Sequence, residues 1–491
     1  MTELLDTLLN SIGPGMMPST AYDTAWVARL DELEPRLSDQ ALDWIITHQL
    51  PDGSWGAAAP FNYYDRVIST LAAMIALARR GQQAQHAKRI LLGVKALEDI
   101  ISRRTKSLQT HSHGATIGFE MIIPTLLVEA EKLGIIKQQG ESILKHLSQL
   151  RAQKLSKIRG NLINRHTSMA FSAEMAGNDG LRMLDIENLQ ESNGSVGHSP
   201  SATAYFSLYV RPRDPRALDY LHKTVKKDGG APNVASFDAF EISWTLWNLG
   251  LIPGFQVTPR ITSLLDRLAG AWQPNRGIGF ATEYSVKDSD MTSMVFDTLL
   301  QYGYPKDVES ILGYEERDYF RCYPLEADPS ISANIHVLGA LRRAGYKKDN
   351  PSIQKIIRFL REKKGDHPFW VDKWQSSPFY TTAHAIMACS GYADDLVQDS
   401  VNWLLSSQHA NGAWGTYFPT AEETAYVIQA LWVWNQTSTR VQSAVIRNGV
   451  EWLEQHSDGP YPPLWIGKCL YGPNLVIRSA VVSALALGKQ L

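Results

Sequence analysis

Cysteine is scarce in this chain. Three occur in 491 residues, Cys322, Cys389 and Cys469, far apart and without a CxxC spacing. That excludes a zinc-ribbon pattern and a disulfide framework, and fits a reducing cytoplasm. Long hydrophobic runs are also missing: no 18 consecutive apolar residues occur, so no membrane-spanning helix is expected. The N-terminal stretch MTELLDTLLNSIG is acidic and amphipathic and lacks the basic start of a secretory signal, so a cytoplasmic location is expected. Charge of one sign is lacking too. Lys and Arg number 48 against 50 Asp and Glu, a formal net charge of −2, which gives no reason to expect nucleic acid as a partner.

Apolar residues make up 44% of the chain, with 14 Trp, 19 Tyr and 14 Phe. The length supports two or three domains with sizeable cores. Nearly every readable segment has helical period, as in Val67–Ala78, Thr116–Leu133, Phe240–Leu249, Ser332–Ala344 and Glu423–Trp434, while strand-like alternation is rare. An all-α protein with short polar turns is predicted.

A repeat runs through it. Trp44, Gln49, Gly53, Trp55 and Gly56 match Trp403, Gln408, Gly412, Trp414 and Gly415 position for position. Gln190–Gly194 and Gln273–Gly277 keep the Gln-x3-Gly core. Each copy reads as a helix end, a glycine turn and a new helix. The glycine permits a left-handed backbone, the glutamine amide can bond exposed backbone at the next helix start, and the tryptophan can stack beside it. Repeated helix–turn–helix units close into α/α barrels or stack as solenoids.

The stretch Lys287–Tyr304, KDSDMTSMVFDTLLQYGY, is predicted to open a helix. Met291, Met294, Val295, Thr298, Leu299 and Tyr302 form one apolar face. Asp288 and Asp290 then stand at its N-terminus. One expectation is an N-cap satisfying orphan N–H groups. The other is a carboxylic acid pair that protonates a substrate, since two adjacent carboxylates do not both ionise cheaply.

Several segments resemble class II diterpene cyclases. Ser19–Ala28 is similar to their SAYDTAWVA signature, Gly118–Pro124 to GFE-x3-P, Asn193–Ala204 to DGSFLFSPSSTA, and Gly229–Val234 to GGVPNV. Asp372–Trp374 with Ser377–His384 resembles a further family stretch. Asp288-Ser-Asp290-Met291-Thr292 stands where the family carries DxDD-T, and the Gln-x3-Gly-x-Trp repeat is similar to its QW motif. Within that family the likeness is to the bacterial tuberculosinyl (halimadienyl) and kolavenyl diphosphate synthases. The resemblance implies two α/α-barrel domains: a β domain at 1–36 and 229–491 that carries the acid motif, and an inserted γ domain at 37–228, with the active site in a cavity between them.

It also implies a reaction. Geranylgeranyl diphosphate would be cyclised by protonation of its terminal alkene, the diphosphate being retained. The product would be bicyclic and of clerodane or halimane type, kolavenyl diphosphate ahead. Asp290 matches the family's proton donor, and Asp288 would orient it. Met291 replaces the third Asp of the motif. Tyr284, Trp370, Trp374, Tyr380, Tyr426 and Tyr471 are candidates to face the carbocation. His336 and Tyr471 are candidates to receive or relay the final proton. Arg165 and Lys373 are candidates to bind the diphosphate. Mg²⁺ is expected, with Glu120 and Glu174 as its candidate ligands, because His111-Ser-His113 stands where plant members carry an acidic motif. No DDxx[DE] motif is present; Asp394-Asp395-Leu-Val-Gln398 fails at its last position. Ionisation of the diphosphate is therefore not expected, and a separate class I terpene synthase or phosphatase would consume the product. The alternatives are a sesquiterpene-diphosphate cyclase acting on farnesyl diphosphate to a drimane skeleton, a zinc-dependent protein prenyltransferase subunit, and a non-catalytic helical-repeat scaffold.

Overall fold

The structure, a computed structural model, describes residues 2–13, 15, 17–81, 84–104, 114–136, 141–156, 162–177, 180–324, 326, 328–438 and 441–490. Helices dominate it, as the periodicity predicts. Contacts divide the chain into two units. The first comprises Met1–Gly15, Phe237–Leu464 and Gly472–Leu491; the second comprises Met16–Ser236 and Trp465–Tyr471.

In the first unit six helices form a closed inner ring: Asp238–Leu249, Ser289–Gln301, Ile331–Arg343, Pro378–Cys389, Ala421–Thr437 and Asn474–Gly488. Each packs on the next, and the last packs on the first. Between them in sequence run the outer helices Pro259–Ala271, Glu309–Leu312, Pro351–Lys364, Asp394–Ser406 and Ser443–Gln455, and Thr2–Ser11 packs on the last inner helix and on Pro259–Ala271. Composition explains the layering. Every residue of Asp238–Leu249 is buried, so this helix suits an inside position only. Pro351–Lys364 instead buries one stripe, Ile353, Ile356, Ile357 and Leu360, at helical spacing. This is an α/α barrel.

Side-chain caps fix the starts of four consecutive inner helices. Asp288, Ser330, Ser377 and Thr420 accept the N–H groups of Met291, Ala333, Phe379 and Glu423 at 2.8–3.1 Å. Asp372 ties two of these starts together. Its carboxylate accepts the N–H groups of Ile331 and Ser332 at 2.7 and 3.1 Å, and that of Trp374 at 3.1 Å, just before the Pro378–Cys389 helix.

The second unit repeats the plan on a smaller scale. Ala21–Val27, Tyr63–Arg79, Phe119–Lys132, Ser168–Ala176 and Pro200–Tyr205 close a ring. Outside it lie Pro35–Thr47, Ala84–Arg104, Glu141–Ser156 and Pro215–Thr224. A two-stranded antiparallel ladder, Trp465–Ile466 with Leu470–Tyr471, belongs to this unit.

The boundaries differ from those expected at 36/37 and 228/229. They fall at 15/16 and 236/237, with residues 465–471 in the second unit. The physical reason is the helix Ala21–Val27. All seven of its residues are buried, and its entry is sewn to 231 by Thr20 N–H on Ala231 O and Ala231 N–H on Thr24 Oγ1, both 2.9 Å.

The repeat has a shared geometry. Gln49 and Gln408 donate to their own turn, on Gly53 O and Gly412 O at 2.8 Å. They also donate to Arg89 O and Val445 O, in the helix that follows on the outside, at 3.0 and 2.9 Å. Gly53, Gly194, Gly277 and Gly412 all have φ between +74° and +90°. Trp55 and Trp414 are fully buried, and each indole N–H caps a carbonyl ten residues earlier, Ile45 and Leu404, at 2.7 Å.

Trp370 follows the same rule, which corrects its assignment as a cation-facing aromatic. Its indole donates to Leu360 O, again ten residues back, at 2.8 Å. Its backbone N–H reaches Thr382 Oγ1, as those of Trp55 and Trp414 reach Thr70 and Thr424. Lys364 takes the glutamine's place and donates to Leu396 O at 2.9 Å. This copy is invisible in sequence because Lys364 replaces the Gln.

Candidate active site

The helix Ser289–Gln301 separates the two aspartates that precede and open it. Asp288 is the cap: it has extended φ/ψ of −143° and 158°, and its Oδ1 accepts Met291 N–H at 2.8 Å. Only 1% of the residue is exposed, and its Oδ2 is buried without a hydrogen-bond partner. Burial pushes this carboxyl well above the usual carboxylate range, and the neighbouring charge of Asp290 adds to the effect, against the Met291 N–H and Lys287. Asp288 is therefore the member that favours the neutral acid.

Asp290, in the first turn, keeps 18% of its side chain accessible. Its Oδ1 lies 2.6 Å from Nδ1 of His336. His336 comes from the next inner helix, Ile331–Arg343, whose start Asp372 holds. The other ring nitrogen, Nε2, lies 3.0 Å from Nδ1 of His384 on the inner helix after that. Asp290, His336 and His384 thus form a hydrogen-bonded row across three consecutive inner helices. His336 has both nitrogens engaged, which suits it to relaying a proton rather than to accepting one from a substrate carbon.

Aromatic rings surround the row. The Trp244 indole N–H donates to Tyr380 OH at 3.1 Å, and the Trp244 ring meets His336 edge-on at 5.6 Å. Trp247 stacks on His384 at 5.0 Å and 16° and donates to Asp297 Oδ2 at 2.7 Å. Tyr380 and Tyr426 lie 4.4 and 5.7 Å from the His384 ring. Burial between these rings, with His336 beside it, holds His384 well below the usual imidazole range, so it is neutral.

Other expected residues divide differently. Tyr284 is buried and stacked on Phe280 at 4.0 Å. Met291 is buried and serves the Asp288 cap through its backbone. Trp374 is half-buried and donates to Ser330 Oγ at 3.2 Å. Lys373 is not a free cation for a diphosphate: its ammonium is paired with Glu326 and bonded to Asp328 O.

Arg165, Glu120, Glu174 and Tyr471 belong to the second unit. Arg165 is half-buried, with Nη1 3.4 Å from Gln190 O. Tyr471 sits in the short ladder, opposite Trp465. Glu120 is paired with Lys154. Glu174 forms a fully buried ion pair with Lys468 at 2.7 Å, both side chains 0% exposed. Around that pair the signature segments converge. Lys468 Nζ also donates to Ser199 Oγ and Ser201 Oγ at 2.6 Å and to Phe171 O at 2.8 Å. Tyr22 OH donates to Glu174 Oε1 at 2.9 Å. Beside them Asp23 accepts Thr20 Oγ1–H, Ser201 N–H and Asn233 Nδ2–H at 2.9–3.2 Å. A Glu174 carboxylate already neutralised by an ammonium, and a Glu120 with its own lysine, do not fit the Mg²⁺ site expected of them. The described residues contain no group of three or more His, Cys, Asp or Glu arranged to hold a metal. The segment His111-Ser-His113 lies outside the described residues.

Sequence reasoning missed His384 as a site residue and Lys468 altogether. A signal existed for His384: Tyr380 and His384 are four residues apart on one helix, hence on one face. For Lys468 there was none, because its partners come from positions near 171, 174, 199 and 201.

The helical fold is shared with known proteins. Residues 324–459 match the sequence profile of the squalene-hopene cyclase C-terminal domain, which places the first unit among terpene cyclase folds. The whole chain is 46% identical over 485 residues, 97% of each chain, to the "Type B diterpene cyclase" of Mycobacterium tuberculosis. It also matches the structure of ent-copalyl diphosphate synthase from Streptomyces platensis, with TM-score 0.79, 28% identity and coverage of 99% and 98%. The Arabidopsis thaliana ent-copalyl diphosphate synthase, solved with (S)-15-aza-14,15-dihydrogeranylgeranyl thiolodiphosphate, gives TM-score 0.69 at 26% identity; the match covers all of this chain and 63% of that one. The chain belongs to the class II diterpene cyclase family. It is an enzyme of that class, and no helix among the described residues is long and apolar enough to cross a membrane.

Proposed function

We propose that the protein cyclises geranylgeranyl diphosphate to a bicyclic diterpenyl diphosphate of clerodane or halimane type, and that kolavenyl diphosphate is the first product to seek. The observation that carries this is the accessible Asp290 carboxyl, held by His336 beside the buried Asp288, whose carboxyl burial pushes upward. The relative named as a diterpene cyclase and the relative solved with a geranylgeranyl analogue support a C20 diphosphate substrate.

In this proposal Asp290 transfers its proton to the less substituted carbon of the terminal alkene. The π pair forms the new C–H bond and leaves a tertiary cation. Internal alkenes attack in turn to build two rings, hydride and methyl shifts follow, and a proton passes from carbon to a base to end the sequence, Tyr471 being the remaining candidate acceptor since both His336 nitrogens are engaged. The carbon–oxygen bond to the diphosphate is never broken, so a class I terpene synthase or a phosphatase must act afterwards. Asp288, kept neutral, adds no second negative charge to oppose release of the Asp290 proton. Tyr380, Trp247, Trp244 and Tyr426 are the aromatic groups packed around the acid row, and cation–π attraction of about 0.5–2 kcal/mol each is their contribution. Arg165 is the cation proposed for the diphosphate, Lys373 being committed to Glu326. Mg²⁺ is carried as the counter-ion of the diphosphate, with no protein ligand assigned.

The test is purified protein with geranylgeranyl diphosphate and Mg²⁺, phosphatase treatment, and mass spectrometry and NMR of the alcohol. A bicyclic alcohol with a rearranged methyl pattern is expected. Unchanged geranylgeraniol overturns the C20 assignment and directs the assay to farnesyl diphosphate. Hydrocarbon released without phosphatase overturns retention of the diphosphate.

A further inference from the structure

We infer that His384 is a positioning residue for the acid: its hydrogen bond to His336 fixes the His336 tautomer that points an N–H at Asp290. The inference rests on Asp290 being the proton donor.

The geometry leaves few arrangements. His336 Nε2 and His384 Nδ1 are 3.0 Å apart, so one proton lies between them. His384 is 2% exposed and packed by Trp247, Tyr380, Tyr426 and His336. The titratable groups facing it are His336, Tyr380 and Tyr426, with Asp290 beyond His336. Its own Nε2 is buried and has no hydrogen-bond partner. A charged imidazolium would leave an N–H⁺ unanswered in that place, so His384 stays neutral with one proton. Carried on Nδ1, that proton is donated to His336 Nε2 and leaves the buried Nε2 as a bare lone pair, the less costly orphan of the two.

The consequence passes along the row. A neutral His336 that accepts at Nε2 must carry its proton on Nδ1. That N–H donates to Asp290 Oδ1 at 2.6 Å. The acidic proton of Asp290 is then confined to Oδ2, the oxygen left for substrate. The donated bond also holds the carboxylate that remains after transfer. Without His384, His336 is free to hold its proton on Nε2 and turn Nδ1 into an acceptor. The Asp290 proton is then shared with imidazole instead of presented to an alkene.

His384→Phe keeps the ring and its stack on Trp247 but removes the donor. His384→Asn places an amide N–H close to the Nδ1 position. With geranylgeranyl diphosphate as substrate, His384→Phe is expected to lower kcat at least tenfold, by analogy with the loss of other proton-transfer partners. His384→Asn should recover most of that loss. An Asn variant no better than Phe overturns the inference. Nitrogen-15 NMR of the His336 ring, identified by its loss in His336→Gln, reads the tautomer without turnover. Protonated Nδ1 in the unsubstituted protein, changing in His384→Phe, supports the assignment; an unchanged tautomer refutes it. Absence of any turnover by the unsubstituted protein refutes the proposed substrate, and the NMR result still decides the role of His384.

Discussion

His336 Nδ1 stands 2.6 Å from Oδ1 of Asp290, and no hydrogen bond links His336 to Asp288 among the described residues. The imidazole thus singles out one of two carboxyls that lie two residues apart. Asp290→Asn is expected to lower turnover by at least about a hundredfold, the scale of a general acid's contribution, with the fold intact. Asp288→Asn separates capping from charge. Asn caps as well as Asp, so the melting temperature should hold, and a neutral amide matches the neutral acid. Its turnover should fall less than that of Asp290→Asn. Circular dichroism and steady-state kinetics on both variants check this; equal losses would remove the assignment of the donor to Asp290.

The Lys468–Glu174 pair predicts stability rather than catalysis. Lys468→Met leaves Glu174 buried without its cation and should cost about 3–5 kcal/mol. The double variant Lys468→Met, Glu174→Leu should recover a good part of that loss. Urea unfolding followed by tryptophan fluorescence measures both. Glu174→Gln should leave the Mg²⁺ concentration needed for half-maximal turnover unchanged, whereas a metal ligand would raise it.

Trp370 offers a direct comparison of two roles. If its indole N–H serves Leu360 O, then Trp370→Phe loses a buried hydrogen bond and some volume, about 1–3 kcal/mol, without altering product or kcat. A changed product ratio in the gas chromatogram would restore it as a substrate-facing aromatic.

Gly412 has φ +90°, and an added Cβ would sit 2.6 Å from Asn448 O. Gly412→Ala must therefore leave the left-handed region or push the next outer helix away. A loss of at least about 1–2 kcal/mol is expected from the backbone conformation alone. Gly339 is the control: a Cβ added there would meet no atom within 4 Å, and its φ is not left-handed. Gly339→Ala should be neutral or stabilising. Thermal melts of the two variants decide it.

His384 also predicts the acid limb of stability. Its folded-state pKa is depressed from 6.5, so the unfolded chain binds more protons as pH falls below about 6.5, and stability is lost there. The slope from this one group is at most about 1.4 kcal/mol per pH unit. Unfolding free energies at pH 7, 6 and 5 should fall less steeply in His384→Phe than in the unsubstituted protein. Equal slopes would mean that His384 is not held neutral by the fold.

Helical period alone determined the all-α class, because an inner helix apolar on every side and an outer helix with one stripe are both written in local spacing. Local order likewise placed Asp288 and Asp290 at a helix start, and ordered motifs marked the family. The two expectations for the aspartates proved complementary in geometry: capping falls to Asp288, while Asp290 meets the imidazole. Which did which depended on burial and on His336, 46 residues away, and neither is local. The same holds for Trp370, whose partners make it a repeat position although its glutamine is a lysine, and for Glu174, whose lysine lies 294 residues on. Hydrophobic pattern acts along the chain and can be read from it. Hydrogen bonds and ion pairs act across the few ångströms that only ring closure brings about, so the partner of each aspartate was decided by the tertiary structure.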